Sequence, residues 1–300
     1  MATRGAIPAL MFMATVGAFV PQSSIAQHAE PSLAVPEAPP APIADSLVAI
    51  DQALAGGRLV EAKDLLDRLE AEGNDRDPRL TLLRAEWLIA VGRAADALPL
   101  LAVIDSDLPT RCRVVAATTM ALLDTAALDD ADLLLASEEQ PCSGEPVYWR
   151  GLGRLHLARV RPAEAVAALR RAAALEPTND EIQGELAVAL LALGDAGDAV
   201  QLLAALARRD PARADIRINL DYAHGMLGQR PSRAASDDDM FWSRRLQYAG
   251  LGARRADRAR LAEAMLGQAI LVRPRHDAEL WRQYEEVSVT GAKGPTLVSN

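Results

Sequence analysis

Few residues in this chain are of types that could do chemistry, and their spacing limits what that chemistry could be. Cys112 and Cys142 are the only cysteines. They could form one disulfide or stay as two thiols, and the absence of a C-x-x-C spacing argues against a redox-active pair. The histidines, His28, His156, His224 and His276, stand far apart. No H-E-x-x-H, Cys/His cluster or acidic calcium loop accompanies them, so no metal site is expected. Asp237, Asp238 and Asp239 form an acidic run without the glycine and spaced oxygens of a calcium loop, and read as a solvated loop. A glycine-rich phosphate loop and a serine nucleophile elbow are both missing. The chain therefore reads as a non-enzyme without cofactor. One pair does suggest recognition. Arg150 and Arg154 lie one helical turn apart and could clamp a carboxylate or an acidic stretch of a partner; the alternative is two solvated arginines.

The elements that would position these residues show in the small side chains. Ala62, Ala97, Ala131, Ala165 and Ala199 follow one another at nearly constant steps, and Ala262 comes after one lapse. One helical turn after each stands a leucine: Leu66, Leu101, Leu135, Leu169, Leu203 and Leu266. The step is a period of about 34, which in an alanine- and leucine-rich chain marks stacked helical hairpins. Each hairpin is too small to bury its own apolar face, so neighbours share a core. The fold class is all-α, a solenoid of antiparallel helix pairs.

Bulk composition fits this. Half of the residues are hydrophobic and only 4% aromatic, as suits close-packed helices. A net charge of −9 argues against nucleic acid as a partner. Arg4, the apolar run Ile7 to Val20 and the small residues Ser24 and Ala26 resemble a secretory signal cleaved after Ala26; the alternative is an uncleaved anchor. No cysteine follows for lipid attachment. The expected organisation is a signal peptide over 1–26, a Pro/Ala-rich disordered linker over 27–42, helical repeats over 43–286 and a disordered tail over 287–300. The mature chain is expected in the periplasm without a membrane-spanning segment.

Between Pro146 and Asn179, Trp149, Leu152, Gly153, Ala165, Leu169, Ala172 and Pro177 fall at the offsets of the tetratricopeptide repeat, which this unit resembles. Gly153 and Ala165 would mark the close crossing of the two helices, and Pro177 the end of the second. The same grid gives about six to seven pairs. The third, Arg111 to Ser143, has lost its turn glycine. The sixth has a first helix from Ala214 to Gly228 but no second, since Pro231, Ser232 and the acidic run replace the expected residues. A last helix is expected from about Asp277 to Glu286. On this grid Cys112 opens the third unit and Cys142 closes it, so a disulfide in an oxidising compartment and two unpaired thiols both remain open. His156 and His224 occupy equivalent positions.

The resemblance implies a right-handed superhelix whose concave face is lined by first helices and binds an extended peptide or a partner helix. It carries no catalytic residues to transfer. Arg113, Met120, Arg150, Arg154, Val188 and Tyr222 fall at groove positions and are the expected partner-binding residues. Nine arginines between Arg244 and Arg282 outnumber the acids there and read as a solvated surface or a basic contact. The segment from Ile216 to Arg230 is similar to repeat proteins of Tad/Flp-type pilus assembly, which often carry a lipid cysteine that this chain lacks. The expected function is an exported scaffold for assembly of a bacterial envelope machine. A periplasmic subunit of exopolysaccharide or cellulose export is the alternative, and an enzyme or enzyme accessory using Pro231 to Phe241 a third.

Overall fold

The computed structural model describes residues 43–74, 76–105 and 108–292. The expected signal peptide and linker lie outside the described residues, as does the tail from residue 293. The chain divides into two compact units, Met1–Ala127 and Leu128–Asn300, and the division falls inside the third expected repeat. Fifteen α-helices, one short π-helical turn (Glu70–Asn74) and no strand occur among the described residues.

In the first unit, α1 (Ile43–Ala55) packs on α2 (Leu59–Leu69), and α3 (Pro78–Ala90) on α4 (Ala94–Ala102); α5 (Leu108–Asp124) follows against α3 and α4. Ala62 and Ala97 are wholly buried, with Leu66 and Leu101 beside them in one core. Removing these apolar surfaces from water is what holds the short helices together, since helices of 9 to 13 residues are marginal alone. The start of α3 is fixed locally. The Asp77 side chain accepts the backbone N–H of Arg79, and Pro78 supplies a helical φ at a position that needs no N–H. The Trp87 indole N–H donates to the Leu59 carbonyl at 2.9 Å, which ties the two pairs together.

The second unit continues with α6 (Leu128–Ser137), the single turn α7 (Glu139–Cys142), and the pairs α8 (Pro146–Ala158) with α9 (Pro162–Leu175) and α10 (Asp180–Leu193) with α11 (Ala196–Arg209). Ala131, Ala165 and Ala199 are fully buried, as the period requires. Gly153 has the expected reason: a Cβ there would come within 2.5 Å of Leu169 Cγ, so the first helix can lie on the second only without a side chain.

The turn after each of these helices holds a residue with positive φ, Gly57, Gly92, Ala126, Val160, Gly194 and Gly228 at steps of 34 or 35 residues and Asp257 after a shorter step of 29. The third unit thus keeps the turn conformation although it has lost the glycine, with Ala126 at φ 60°. Val160, β-branched and at φ 57°, is the most strained of the seven.

At the sixth unit the second helix is absent, as the sequence suggests. After α12 (Ala214–Met226) an irregular strap, residues 227–238, leads back to the start of α13 (Asp239–Arg255). Asp221 meets Arg245, and Gly225 meets Ala249, so the two helices run in the same direction. They touch backbone to backbone. A Cβ on Gly225 would lie 1.9 Å from the Ala249 carbonyl oxygen, and one on Gly252 would lie 2.0 Å from that of Tyr222. Regular packing resumes with α14 (Ala259–Val272), where Ala262, Leu266 and Ala269 are fully buried. The last helix, α15 (Ala278–Ala292), runs past the Glu286 end expected from sequence because Leu280 and Val287 anchor it in the same core.

Candidate functional site

In the first unit, charged side chains link successive first helices. Arg113 on α5 donates through Nε and Nη2 to Glu86 on α3, both at 2.6 Å, and through Nη2 to Asp51 on α1 at 2.5 Å. Burial pushes the Glu86 carboxyl up, and Arg113 opposes that shift. Arg113 is half exposed, so one side of its guanidinium still faces solvent. Met120 lies two turns further along α5 and is partly buried.

The second unit repeats the device with the signs reversed. Arg150 and Arg154 on α8 both reach Glu185 on α10. Arg150 Nε donates to Glu185 Oε1 at 2.8 Å, Arg154 Nε does so at 2.9 Å, and Arg150 Nη2 also meets Glu181 at 2.6 Å. Glu185 is only 2% exposed. Burial alone would raise its carboxyl; Arg154 and Arg150 outweigh it and hold it below the ordinary value. The carboxylate that the arginine pair is expected to take from a partner is therefore already supplied by the next repeat. Arg150 remains a quarter exposed beside the half-exposed Glu181, so this edge is what a partner can reach.

The apolar floor is also more closed than the sequence suggests. Val188, Leu191, Ile218 and Tyr222 are all buried. Tyr222 belongs to the same core as Leu186, Leu190, Met226 and Leu251. Val188 and Tyr222 therefore support the surface from beneath, and its accessible part consists of Arg150, Glu181, Arg213 and Asp215. Arg213 and Asp215 form an exposed pair at 2.6 Å.

The acidic run at 237–239 is solvated only in part, with Asp238 and Asp239 exposed. Asp237 is buried and accepts Arg217 Nη2 at 2.5 Å, Arg245 Nη1 at 2.6 Å and the Ala234 N–H at 3.0 Å. Asp238 caps α13 by accepting the Phe241 N–H, and Asp239 pairs with Arg233. Arg245 in turn bonds Asp221 through Nε at 2.6 Å and Nη2 at 3.1 Å. The arginine-rich end is likewise largely committed. Arg254 and Arg282 pair with Glu286, Arg273 pairs with Asp277, and Arg258 donates to the Met226 carbonyl.

Neither cysteine is free: Cys112 and Cys142 are both buried and disulfide-bonded. Burial holds His156 and His224 below the usual imidazole value. Among the described residues no group of three or more His, Cys, Asp or Glu side chains is placed to hold a metal, and no helix is long and apolar enough to cross a membrane.

A tetratricopeptide-repeat family model matches residues 156–218. These are tetratricopeptide repeats. A solved structure of a thermophilic tetratricopeptide protein from Thermus thermophilus is 22% identical, with a TM-score of 0.53; the likeness covers 60% of this chain and 97% of that one. A tetratricopeptide protein from Parabacteroides merdae is 9% identical with a TM-score of 0.44, covering 82% of this chain and 98% of its own. YrrB, described as a tetratricopeptide protein with an unusual peptide-binding site, is 17% identical with a TM-score of 0.41, over 72% and 95% of the two chains. No curated protein matches the sequence. The first of these structures confirms the tetratricopeptide fold. Stacked repeats of this kind present extended surfaces made of equivalent positions on successive helices.

Proposed function

We propose that this chain is a non-enzymatic scaffold that binds a protein partner along the first helices of its tetratricopeptide repeats. The observation that carries the reading is the cross-repeat charge ladder. Arg150, Glu181 and Asp215 come from three successive first helices and offer one positive charge followed by two negative ones, above a floor already filled by Val188 and Tyr222. A surface of that kind reads the backbone and charged side chains of an extended polypeptide. Its register is rigid because Glu185 fixes both arginines, and rigid groups lose little freedom on binding. Arg113, with Glu86 and Asp51, offers a second such surface on the first unit.

The two oxidised cysteines support an exported protein, since disulfides persist in oxidising compartments such as the periplasm. We place the scaffold there, in the assembly of an envelope machine, and the likeness of Ile216 to Arg230 to Tad/Flp pilus assembly proteins makes a pilus system the first candidate. The test is photocrosslinking in cells. A benzophenone amino acid at Glu181 or Asp215 should crosslink to a protein, and one at the second-helix positions Glu164 or Asp198 should not. Equal crosslinking at both sets of positions would dismiss the first helices as the binding face.

A further inference from the structure

The strap after α12 departs from the repeat in a specific way. Asp237 falls one repeat period after Leu203, so it stands where the repeat places a core leucine. It is the one buried residue of the whole strap, 227–238. An exposed segment is thus held down by this carboxylate, with the Ser232 carbonyl accepting Arg245 Nη1 at 3.0 Å as a second tie to the same cation. The carboxylate sits against two guanidiniums on helices that do not need the strap for their own contact. Beside it lies a cleft of about 310 Å³, lined by Ala207, Pro211, Leu220, Ser236, Arg217 and Arg245.

The charge balance says what this place accepts. Asp221 already takes two donors from Arg245 and stays with it through the rigid α12–α13 crossing. Without Asp237, two arginines would face one aspartate, leaving one positive charge in a partly buried cleft; Asp237 brings it to zero. Arg217 is fixed from its other side by the Phe241 ring, 4.8 Å from the guanidinium carbon to the ring centroid, so its position does not depend on the strap. The site is preorganised for a carboxylate, and the carboxylate present comes from the strap, one residue before the Asp238 cap of α13.

We propose that Arg217 and Arg245 form a binding site for an acidic side chain of a partner protein, and that Asp237 is the built-in occupant such a segment displaces. The strap is then an autoinhibitory contact: it keeps the site neutral until a more acidic segment competes. This rests on the reading of the chain as a protein-binding scaffold, but it concerns Arg217 and Arg245 rather than Arg150, Glu181 and Asp215, and its test uses a defined peptide.

The probe is fluorescein-labelled hexaglutamate, with hexalysine as control, titrated against the full chain at low salt and read by anisotropy. Asp237→Asn removes the competing charge at constant shape, and should bind hexaglutamate at least about tenfold more tightly than wild type, which is about 1.4 kcal/mol. Adding Arg217→Gln should abolish that gain. Equal affinity of wild type and Asp237→Asn, or a gain that survives Arg217→Gln, would overturn the proposal. A second readout needs only the wild-type protein. Displacement of the strap should speed tryptic cleavage after Arg233 when hexaglutamate is in excess, and hexalysine should not. An unchanged cleavage rate would overturn the proposal even if Asp237→Asn did not fold.

Discussion

The contact between α12 and α13 makes the sharpest prediction about the fold, because two glycines in neighbouring first helices should respond to alanine with opposite sign. At Gly225 a Cβ would sit 1.9 Å from the Ala249 carbonyl oxygen, 2.8 Å from its carbon and 3.0 Å from its Cα. All three are backbone atoms, so no side-chain rotation can relieve them. The helices must move apart, and that separation would loosen Asp221–Arg245 and the Gly252 contact on the same interface. Overpacking a core costs roughly 1–3 kcal/mol where side chains can yield, so Gly225→Ala should lie at or above about 3 kcal/mol. At Gly184 on α10 the nearest atoms to a Cβ are Ile216 Cδ1 at 3.6 Å and Leu206 Cδ1 at 3.9 Å, which is ordinary contact. There the gain in helix propensity should dominate, and Gly184→Ala should stabilise by about 0.5–1 kcal/mol. Thermal unfolding followed by far-ultraviolet circular dichroism reads both. At roughly 2–4 °C per kcal/mol, Gly225→Ala should melt at least about 6 °C lower and Gly184→Ala a few degrees higher. A Gly225→Ala variant that melts with the wild type would refute the backbone contact and with it the direct stacking of the two first helices.

Three further outcomes follow from the same geometry. Val160→Gly should raise stability by about 1 kcal/mol in the same melting assay, since it removes a β-branched residue from a left-handed turn; a lower melting temperature would mean the turn is not strained. Glu185→Gln leaves Arg150 and Arg154 facing a neutral buried group and should cost about 3 kcal/mol. Because the folded Glu185 carboxyl lies below its unfolded value of 4.5, the stability it contributes is complete above that pH and is lost as pH falls through the folded value. The wild type should therefore lose stability below about pH 4.5 more steeply than Glu185→Gln, and parallel pH curves would exclude Glu185 as the source. Leu169→Ala, opposite Gly153 and wholly buried, should cost about 2–5 kcal/mol by leaving a cavity; an effect near zero would place Leu169 outside the core.

What the sequence made legible was what repeats. The alanines and leucines of the register are buried where their period puts them, and Gly153 faces Leu169 for the reason its offset suggests. The lapse in the sixth unit was visible too, but its content was not. Asp237 keeps the leucine register, one period after Leu203, and Asp221 stands two periods after Gly153, at the helix-crossing position. Two aspartates at two core positions signal a buried cation between them. Read as an isolated acidic run, Asp237 looks solvated; set on the repeat grid, it points to Arg245. The same applies to Arg150 and Arg154. Their spacing on one helix shows that they share a face, but their partner Glu185 lies 31 residues from Arg154, on the next first helix. Pairing across repeats depends on which way adjacent helices lean, and composition does not report that. Arg150→Glu with Arg154→Glu, harmless if the arginines were solvated, would instead set new acids against the buried Glu185 carboxylate.

The claim that first helices carry the partner is tested most directly by hydrogen–deuterium exchange of the purified protein with and without the protein that it crosslinks to. Exchange should slow along the exposed turns of α8, α10 and α12 around Arg150, Glu181 and Asp215, with α9 and α11 unchanged. Protection confined to α9 and α11, or absent from all five helices, would contradict that claim.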